Sequence, residues 1–578
     1  MKLPPNLSAR KSTNHIQFSI FAKKIMLPYG ISDYKDVQVN GLYYIDKTHF
    51  IPLLERQPRY LFLIRPRRFG KSLLVSMLEA YYDLRYQHEF DRLFKDTYIL
   101  EHPTKERNSY YVLRLDFSAV DSQSADANFN TYANQRLQNF IEKYGLDVTL
   151  DDANVNNNLN KLFDYCNLRE LPLFILIDEY DNFINDMLVK DEQQYKKLVT
   201  GQEAVYKQFF KTLKAGTSGT DASVKKMFIT GVSPLAMYDL TSGFNIGTNI
   251  TTDEAFNDVL GVTEAEVLEL IGHYSLQDQQ ETILERIRHW YDGYRFNEDV
   301  PYSIFNTDMI LYYFNALVQY KKEPRELVDI NVRSDYSKIR FLVQSDRKLN
   351  GNFSVLNELL STSRVETPSI KSSFSAFEMR DRDHFVSLLF YLGLISIEEY
   401  EAGMVQLTIP NQTIRKIMAE FLQKTMEEND LLDIRLPAFN RLINELAFHR
   451  KLSVFDYLGE RINESSSIRD YISGESFIKG FLTAYLSLNP YYEVNTEREF
   501  TKGFVDIYLH PITGDVPYGA AIELKYIKRN ELTEALLEEK SAEATAQLQR
   551  YGAPPNTIKV ALVFHGWELV KVPEVREG

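Results

Sequence analysis

Gly70, Lys71 and Ser72 close the stretch "LIRPRRFGKSLL", Leu63 to Leu74. In a phosphate-binding loop a glycine lets the backbone approach the phosphates, a lysine reaches the β- and γ-phosphates, and a Ser/Thr hydroxyl binds Mg²⁺. The general pattern opens with another glycine, four residues before the second. Here Arg65 stands at that first position, followed by Pro66, Arg67, Arg68 and Phe69. The first glycine serves the turn and holds no ligand. Its replacement reroutes the loop, and Arg67 or Arg68 adds positive charge.

Two further groups of residues carry chemistry. "FILIDEYD" is an apolar strand ending in Asp178 and Glu179. Asp178 is expected beside Mg²⁺, with Glu179 orienting or deprotonating an attacking water. Near the end, "GFVDIYLHPITGDVPYGAAIELKYI" holds Asp506, Glu523 and Lys525. Alternate strand residues share a face, so Glu523 and Lys525 point together. The turn-rich "HPITGDVPYG" folds Asp506 back beside them. Two close carboxylates suit Mg²⁺ or Mn²⁺, and a lysine there positions water or neutralises developing charge. Read alone, the same residues also describe a Glu–Lys pair on a solvated strand face, although the apolar flanks weigh against it.

These groups need elements to position them. "RYLFLIRP" reads as a strand and "SLLVSMLEAYYDL" as a helix, so the loop has strand–loop–helix context. "LPLFILIDEYDNFI" and "VKKMFITGVSPL" add strands. Strands alternating with helices predict a mostly parallel sheet, with ligands at the carboxyl ends of its strands. Residues 1–25 read as a poorly ordered extension, 26–300 as the nucleotide domain, 301–430 as a helical lid or linker, and 431–578 as a separate α/β domain. Within the third, "DHFVSLLFYLGLISIEEYEAGMVQLTIPNQTIRKIMAEFL" reads helix, hairpin, helix. That order suits a winged-helix-like lid or a plain helical packing unit. Asn154 to Asn160 read as a short polar loop.

The bulk composition sets limits. The chain has 578 residues, 44% hydrophobic and 25% charged, with net charge -14. That charge argues against a surface coated for nucleic acid and is compatible with a local basic groove. The single cysteine, Cys166, rules out an internal disulfide and reads as a packed apolar residue. No segment reaches the roughly 20 apolar residues that span a bilayer. A cytoplasmic protein with no membrane contact is expected. His510 and His565 read as structural or solvated.

"LPYGISDYKDV", "YYIDKTHFI", "RPRRFGKSLL", "LIDEYD", "FITGVSPL" and "WYDGYRF" together resemble the AAA-ATPase-like family of bacterial proteins, from Met26 to Phe305. In that family Arg-Pro-Arg-Arg-Phe-Gly-Lys-Ser is the usual loop. The resemblance therefore implies that Arg65, Pro66, Arg67, Arg68, Phe69, Gly70, Lys71 and Ser72 bind ATP, with Asp178 on the metal. It puts Thr230 and Ser233 where related ATPases sense the γ-phosphate, a strand-end turn being the other reading. Arg295 would be a second sensor from the lid, or part of a turn between aromatics. Members often end in a nuclease-like domain of the PD-(D/E)XK superfamily, whose Asp…Glu-X-Lys signature Asp506, Glu523 and Lys525 resemble. Glu475 matches an additional acidic metal position and Gln547 a polar one.

The implied fold is α/β. It combines an N-terminal P-loop, AAA-like parallel sheet, a helical or winged-helix-like lid, and a C-terminal restriction-endonuclease-like α/β domain. The implied function is ATP binding and hydrolysis whose nucleotide state controls a Mg²⁺- or Mn²⁺-dependent nuclease. Its substrate would be nucleic acid, DNA before RNA, in defence or in a mobile element. The alternative is a nucleotide-dependent switch with a non-cleaving nuclease-like domain. A homo-oligomer is compatible with both, and an arginine finger would then come from a neighbouring subunit.

Overall fold

The computed structural model describes residues 26–120, 125–150, 152–182, 204–219, 222–235, 246–329, 331–332, 344–345, 348–349, 351–428, 434–464, 474–572 and 574–575. The expected extension at 1–25 lies outside the described residues. Five strands form the first sheet: β1 (Tyr60–Ile64), β2 (Tyr111–Asp116), β3 (Leu173–Asp178), β4 (Val224–Gly231) and β5 (Thr248–Asn249). Their order is β2-β3-β4-β1-β5 and every pairing is parallel. Covered on both faces, such strands need continuous apolar runs; all six residues of β3 are buried. The register aligns Asp116 with Asp178 and Leu63 with Thr230, so the strand ends open along one edge.

Helices α1 (Lys71–Tyr82), α2 (Ala125–Tyr144), α3 (Val155–Leu168) and α4 (Val205–Ala215) cover the sheet. The polar loop expected at Asn154–Asn160 is instead the start of α3. Asn154 caps it by accepting the Asn156 N–H, and Val155, Leu159, Leu162 and Cys166 repeat at helical spacing into the core. The run of asparagines hid that apolar stripe. Cys166 is buried, and burial pushes its thiol up to about 12.

The next region starts with α5 (Thr307–Tyr320). A small pair, β6 (Gln344–Ser345) and β7 (Lys348–Leu349), precedes α6 (Gly351–Thr362). Then come β8 (Arg364–Thr367), α7 (Arg382–Tyr391), β9 (Ser396–Glu401), β10 (Met404–Thr408) and α8 (Gln412–Glu428). The helix, hairpin, helix order is present, and β8 adds a third antiparallel strand in the order β8-β10-β9. Ala402 and Gly403 both take positive φ at the hairpin tip, the turn whose twist matches its flanking strands.

The C-terminal part begins with α9 (Glu475–Leu486), followed by β11 (Tyr492–Phe500), β12 (Gly503–Pro511) and β13 (Gly519–Ile527). It ends with α10 (Glu534–Arg550), β14 (Thr557–His565) and β15 (Glu568–Lys571). The sheet order follows the chain, with β13 and β14 parallel across the α10 crossover and the other pairs antiparallel. Ile507, Leu509, Ile522 and Leu524 join the main core. Val505, Tyr508, Ala521 and Ala561 form a second core with Ala544 and Leu548 of α10. A Cβ on Gly480 of α9 would fall 2.5 Å from the Asn357 side-chain oxygen of α6, so these helices approach where only glycine fits. Among the described residues no helix is long and apolar enough to cross a membrane.

Candidate nucleotide and phosphodiester sites

The loop after β1 delivers Lys71 and Ser72 into the first turn of α1. Gly70 caps that helix at φ +96°, a left-handed conformation glycine takes without strain. Over the loop opens a pocket of about 520 Å³ lined by Arg67, Arg68, Gly70, Lys71, Ser72 and Glu179. The Lys71 ammonium donates to the Pro66 carbonyl at 3.2 Å and lies 3.7 Å from Glu179 Oε1. Glu179 sits at φ +52°, which turns its side chain away from the line of β3.

Asp178 is fully buried, and among the described residues neither carboxylate oxygen has a hydrogen-bond partner. Burial pushes its pKa up to about 6; the Ser72 hydroxyl and Lys71 oppose this, while Glu179 and Asp116 add to it. The hydroxyl stands close enough to favour the charged form without the geometry of a hydrogen bond. A buried carboxylate without a donor is costly. Its two open oxygens beside a hydroxyl make a hard donor set that fits Mg²⁺. Such an ion supplies positive charge at the phosphates of a bound nucleotide; Asp178 and Ser72 are the residues that would hold it.

The outer side of the loop is gripped by the start of α5. The Asp308 N–H donates to the Arg68 carbonyl at 3.2 Å, Thr307 Oγ1 to Phe69 O at 3.0 Å, and Asn306 Nδ2 to Arg67 O at 3.4 Å. Arg68 also pairs with Asp308 at 3.1 Å. Pro66 packs against Gly393, where a Cβ would meet its ring at 2.6 Å. A displacement of the loop is therefore felt at α5 and at the turn leading into β9.

At the C-terminal sheet the β12–β13 ladder begins at Ile507–Ile522 and stops short of Asp506. There the strands part, and Asp506 Oδ2 accepts the Leu524 N–H at 2.9 Å. Lys479 of α9 donates to Asp506 Oδ1 at 3.0 Å and also pairs with Glu497. Lys525 donates to Glu523 Oε1 at 2.9 Å, and the Tyr551 hydroxyl to Oε2 at 3.3 Å. Burial raises Glu523 above the usual carboxylate range and the Asp506 charge adds to this, against Lys525 and Tyr551. Glu475 is raised by burial and by the same Asp506, against Lys525 and Lys479.

Among the described residues no three His, Cys, Asp or Glu side chains converge into a ready metal cluster. Two repelling carboxylates still form a donor set for Mg²⁺ or Mn²⁺ of the kind completed by water. Asp506 and Glu523 are the residues that would hold such an ion, which would supply a bound water of lowered pKa. Lys525 stands beside Glu523, where it would help to orient that water.

Residues 28–241 match the model of the family described as predicted AAA-ATPase, and residues 473–574 match that of the PD-(D/E)XK nuclease superfamily. The chain joins an AAA-ATPase-like domain to a PD-(D/E)XK nuclease superfamily domain. A curated relative, an uncharacterised protein in the vnfD 5' region of Azotobacter chroococcum mcd 1, is 25% identical over 285 residues, 48% of this chain and 50% of the relative. The chain thus spans about half the length of that relative. Two solved structures align over the greater part of the chain. Cdc6p from Pyrobaculum aerophilum is 11% identical with a TM-score of 0.25, covering 64% of this chain and 88% of that one. The ORC2 protein of Aeropyrum pernix is 12% identical with a TM-score of 0.28, covering 66% and 93%.

Not every residue expected in the AAA-ATPase-like site faces the pocket. Arg65 is fully buried beneath it: its guanidinium donates to Ile64 O, Thr251 O and Phe256 O and lies 3.9 Å over the Phe296 ring. It staples the loop to the core instead of touching phosphate. Pro66 packs on Gly393, and the Phe69 ring meets Tyr294 and Phe296. Thr230 spends its hydroxyl on the Leu63 carbonyl at 2.7 Å. The Ser233 N–H donates to buried Asp181 at 2.7 Å, and Ser233 Oγ accepts the Leu235 N–H, which is the strand-end turn. Arg295 donates to Ile397 O and Val300 O, tying it to β9. Neither sensor position reaches the pocket in this structure.

The pocket gains residues that sequence reasoning passed over. Asp116 ends β2, "YVLRLD", with the same apolar-run-then-acid signal as β3, and lines the pocket with Thr307 and Asp308. In the nuclease-superfamily domain Lys479 lies one helical turn after Glu475, a spacing that signalled a shared face. Glu497 and Tyr551 gave no such signal. Gln547 stands four residues before Tyr551, and its Oε1 is buried without a hydrogen-bond partner. His565 lies 3.0 Å from the Arg529 carbonyl, and His510 is exposed, its pKa lowered chiefly by desolvation.

Proposed function

We propose that this protein binds and hydrolyses ATP with Mg²⁺, and that its nucleotide state controls a metal-dependent phosphodiesterase that cuts nucleic acid, DNA before RNA. The observation that carries the reading is Asp178: a buried carboxylate with two open oxygens, beside Ser72 and Lys71 on a phosphate loop. Lys71 holds the β- and γ-phosphates, Asp178 and Ser72 the metal, and Glu179 orients the attacking water. We assign the base to the small apolar niche beside Gly70 lined by Tyr43, Tyr44, Leu260 and Leu311. Asp506 and Glu523, assisted by Glu475, hold the second metal, and Lys525 steadies the reacting water.

In this reading residues 26–300 bind nucleotide, 301–430 relay its state, and 431–578 cut. The relay starts at α5, which grips the loop carbonyls, and ends where α6 meets α9. The setting is the cytoplasm, in defence against foreign DNA or in a mobile element.

A second reading has its own support. All four oxygens of Asp506 and Glu523 already accept internal donors, which favours a nucleotide switch whose C-terminal domain binds without cutting. One assay separates the two. Supercoiled, linear and single-stranded DNA are incubated with Mg²⁺ or Mn²⁺, with and without ATP, using wild type, Glu523→Ala and Lys71→Ala. Cutting lost in Glu523→Ala and altered in Lys71→Ala supports nucleotide-controlled cleavage. Absence of any Glu523-dependent cutting leaves the switch.

A further inference from the structure

Lys479 is not part of the Asp…Glu-X-Lys pattern, yet it is among the most enclosed charges of the C-terminal site, 5% exposed. Its ammonium lies between Asp506 Oδ1, at 3.0 Å, and Glu497. Glu475, Glu497, Asp506 and Glu523 share the ammonium groups of Lys479 and Lys525, and Glu543, itself paired with Lys540, stands 3.9 Å from Lys525, which leaves negative charge in excess. Burying an ammonium is costly unless it stays paired, so Lys479 leaves Asp506 only if another carboxylate keeps it.

Glu497 is built for that. The β11–β12 ladder pairs Thr496 with Ile507 and Arg498 with Val505, skipping Glu497 and Asp506. Glu497 takes φ +52° at this break, a strained conformation for a non-glycine residue, and its side chain remains about half exposed (47%). It faces Lys479 from the solvent side while Asp506 faces it from within.

We propose that Lys479 is the resident counter-ion of this site, closing Asp506 when no divalent cation is bound and withdrawing towards Glu497 when one enters. The inference rests on the metal-site reading above and adds a residue that opposes metal entry. The ammonium and the cation compete for one oxygen, Asp506 Oδ1. Withdrawal costs little pairing because Glu497 is already a partner. The position of the lysine is set by α9, whose next residue, Gly480, is pressed on Asn357 of α6. A shift of α6 against α9 therefore changes how firmly Lys479 closes the site.

The test is Mn²⁺ binding by the full chain without nucleotide, read from the electron paramagnetic resonance signal of free Mn²⁺. Wild type is compared with Lys479→Met, Lys479→Arg and Asp506→Asn. The expected result is a site lost in Asp506→Asn that binds Mn²⁺ about tenfold more tightly in Lys479→Met, because a competing positive charge is gone. Lys479→Arg, which keeps the charge, stays within about twofold of wild type on the same argument. Lys479→Gln makes the comparison if the Met protein does not fold. Equal or weaker Mn²⁺ binding in Lys479→Met, with the Asp506 dependence intact, overturns the counter-ion role and leaves the metal site standing. No Asp506-dependent binding in any protein overturns both.

Discussion

The two acidic strand ends of this molecule solve one electrostatic problem in opposite ways. Asp178 and Glu523 are both held above the usual carboxylate range, and burial is the main cause in each. At β3 the Ser72 hydroxyl and Lys71 lie close enough to favour the Asp178 charge, but among the described residues neither oxygen accepts a hydrogen bond of good geometry. At β12 and β13 the chain offers a backbone N–H, two ammonium groups and a phenol, and every oxygen of Asp506 and Glu523 is occupied. The first site is open and carries an uncompensated cost until a cation arrives with its ligand. The second is compensated from within and closed until something moves. A carboxylate's readiness for metal is thus set less by its neighbours in sequence than by whether the fold has already supplied its counter-charge.

The largest effects fall on the open site. Lys71→Ala is expected to weaken Mg-ATP binding at least a hundredfold, the loss of a charged contact worth about 3 kcal/mol. Isothermal titration calorimetry reads this directly, and an affinity within fivefold of wild type breaks the assignment. Asp178→Asn tests the uncompensated cost itself. The carboxyl ionises near 3.9 when unfolded and at about 6 in the fold. Between those values the native state binds more protons, so wild-type stability falls as pH rises from about 4 to about 6, by roughly 3 kcal/mol at most. The Asp178→Asn protein, with no carboxyl to titrate there, has no such fall. Denaturant melts at pH 7.5 should find Asp178→Asn more stable than wild type by about 1–3 kcal/mol while Mg²⁺-dependent nucleotide binding is lost. A less stable variant would mean that an unrecognised partner already compensates the carboxylate.

Much of this contrast was legible in the sequence, and the parts that were not share a cause. Apolar runs ending in acids located β3, and alternation paired Glu523 with Lys525, because both signals are local. Asp116 carries the same local signal and was overlooked. Arg65, Thr230 and Arg295 are polar groups at the expected places in the chain whose side chains donate in this structure to backbone carbonyls of distant segments, Thr251 and Phe256, Leu63, and Ile397, while the Ser233 hydroxyl accepts the Leu235 N–H two residues on. Direction is a tertiary property, decided by whichever buried carbonyl needs a donor. Glu497 was invisible for a related reason, since a break in a ladder is a property of two strands.

Arg65 turns that lesson into a measurement. If its side chain staples the loop to the core, Arg65→Lys keeps the charge but cannot reach three carbonyls in a planar fork. A loss of about 2 kcal/mol in urea melts is expected, since buried acceptors lose their donors. Arg67→Ala, which trims a side chain of the pocket lining, should lower the melt by less than Arg65→Lys does. Equal melts for the two proteins would return Arg65 to the ligand side of the loop.

The smallest effect asks how tightly the closed site is tied to the rest of the molecule. Gly480 of α9 and Gly272, in the helix Glu264–His273, are both helical glycines, and they differ in what a methyl group would meet. Among the described residues nothing lies within 4 Å at Gly272; at Gly480 the Asn357 side chain and carbonyl stand at 2.5 and 2.6 Å. Replacing a helical glycine by alanine gains about 1 kcal/mol in propensity, and overpacking costs about 1–3 kcal/mol. Gly272→Ala should therefore raise stability by somewhat under 1 kcal/mol, and Gly480→Ala should lower it by about 1 kcal/mol net. Thermal melts of both proteins read the sign. The opposite signs, from one substitution in one kind of element, would show that the α6–α9 contact is rigid enough to carry a displacement to Lys479. If Gly480→Ala instead stabilises the protein like Gly272→Ala, the two helices part without resistance and the closed site is not held from that side.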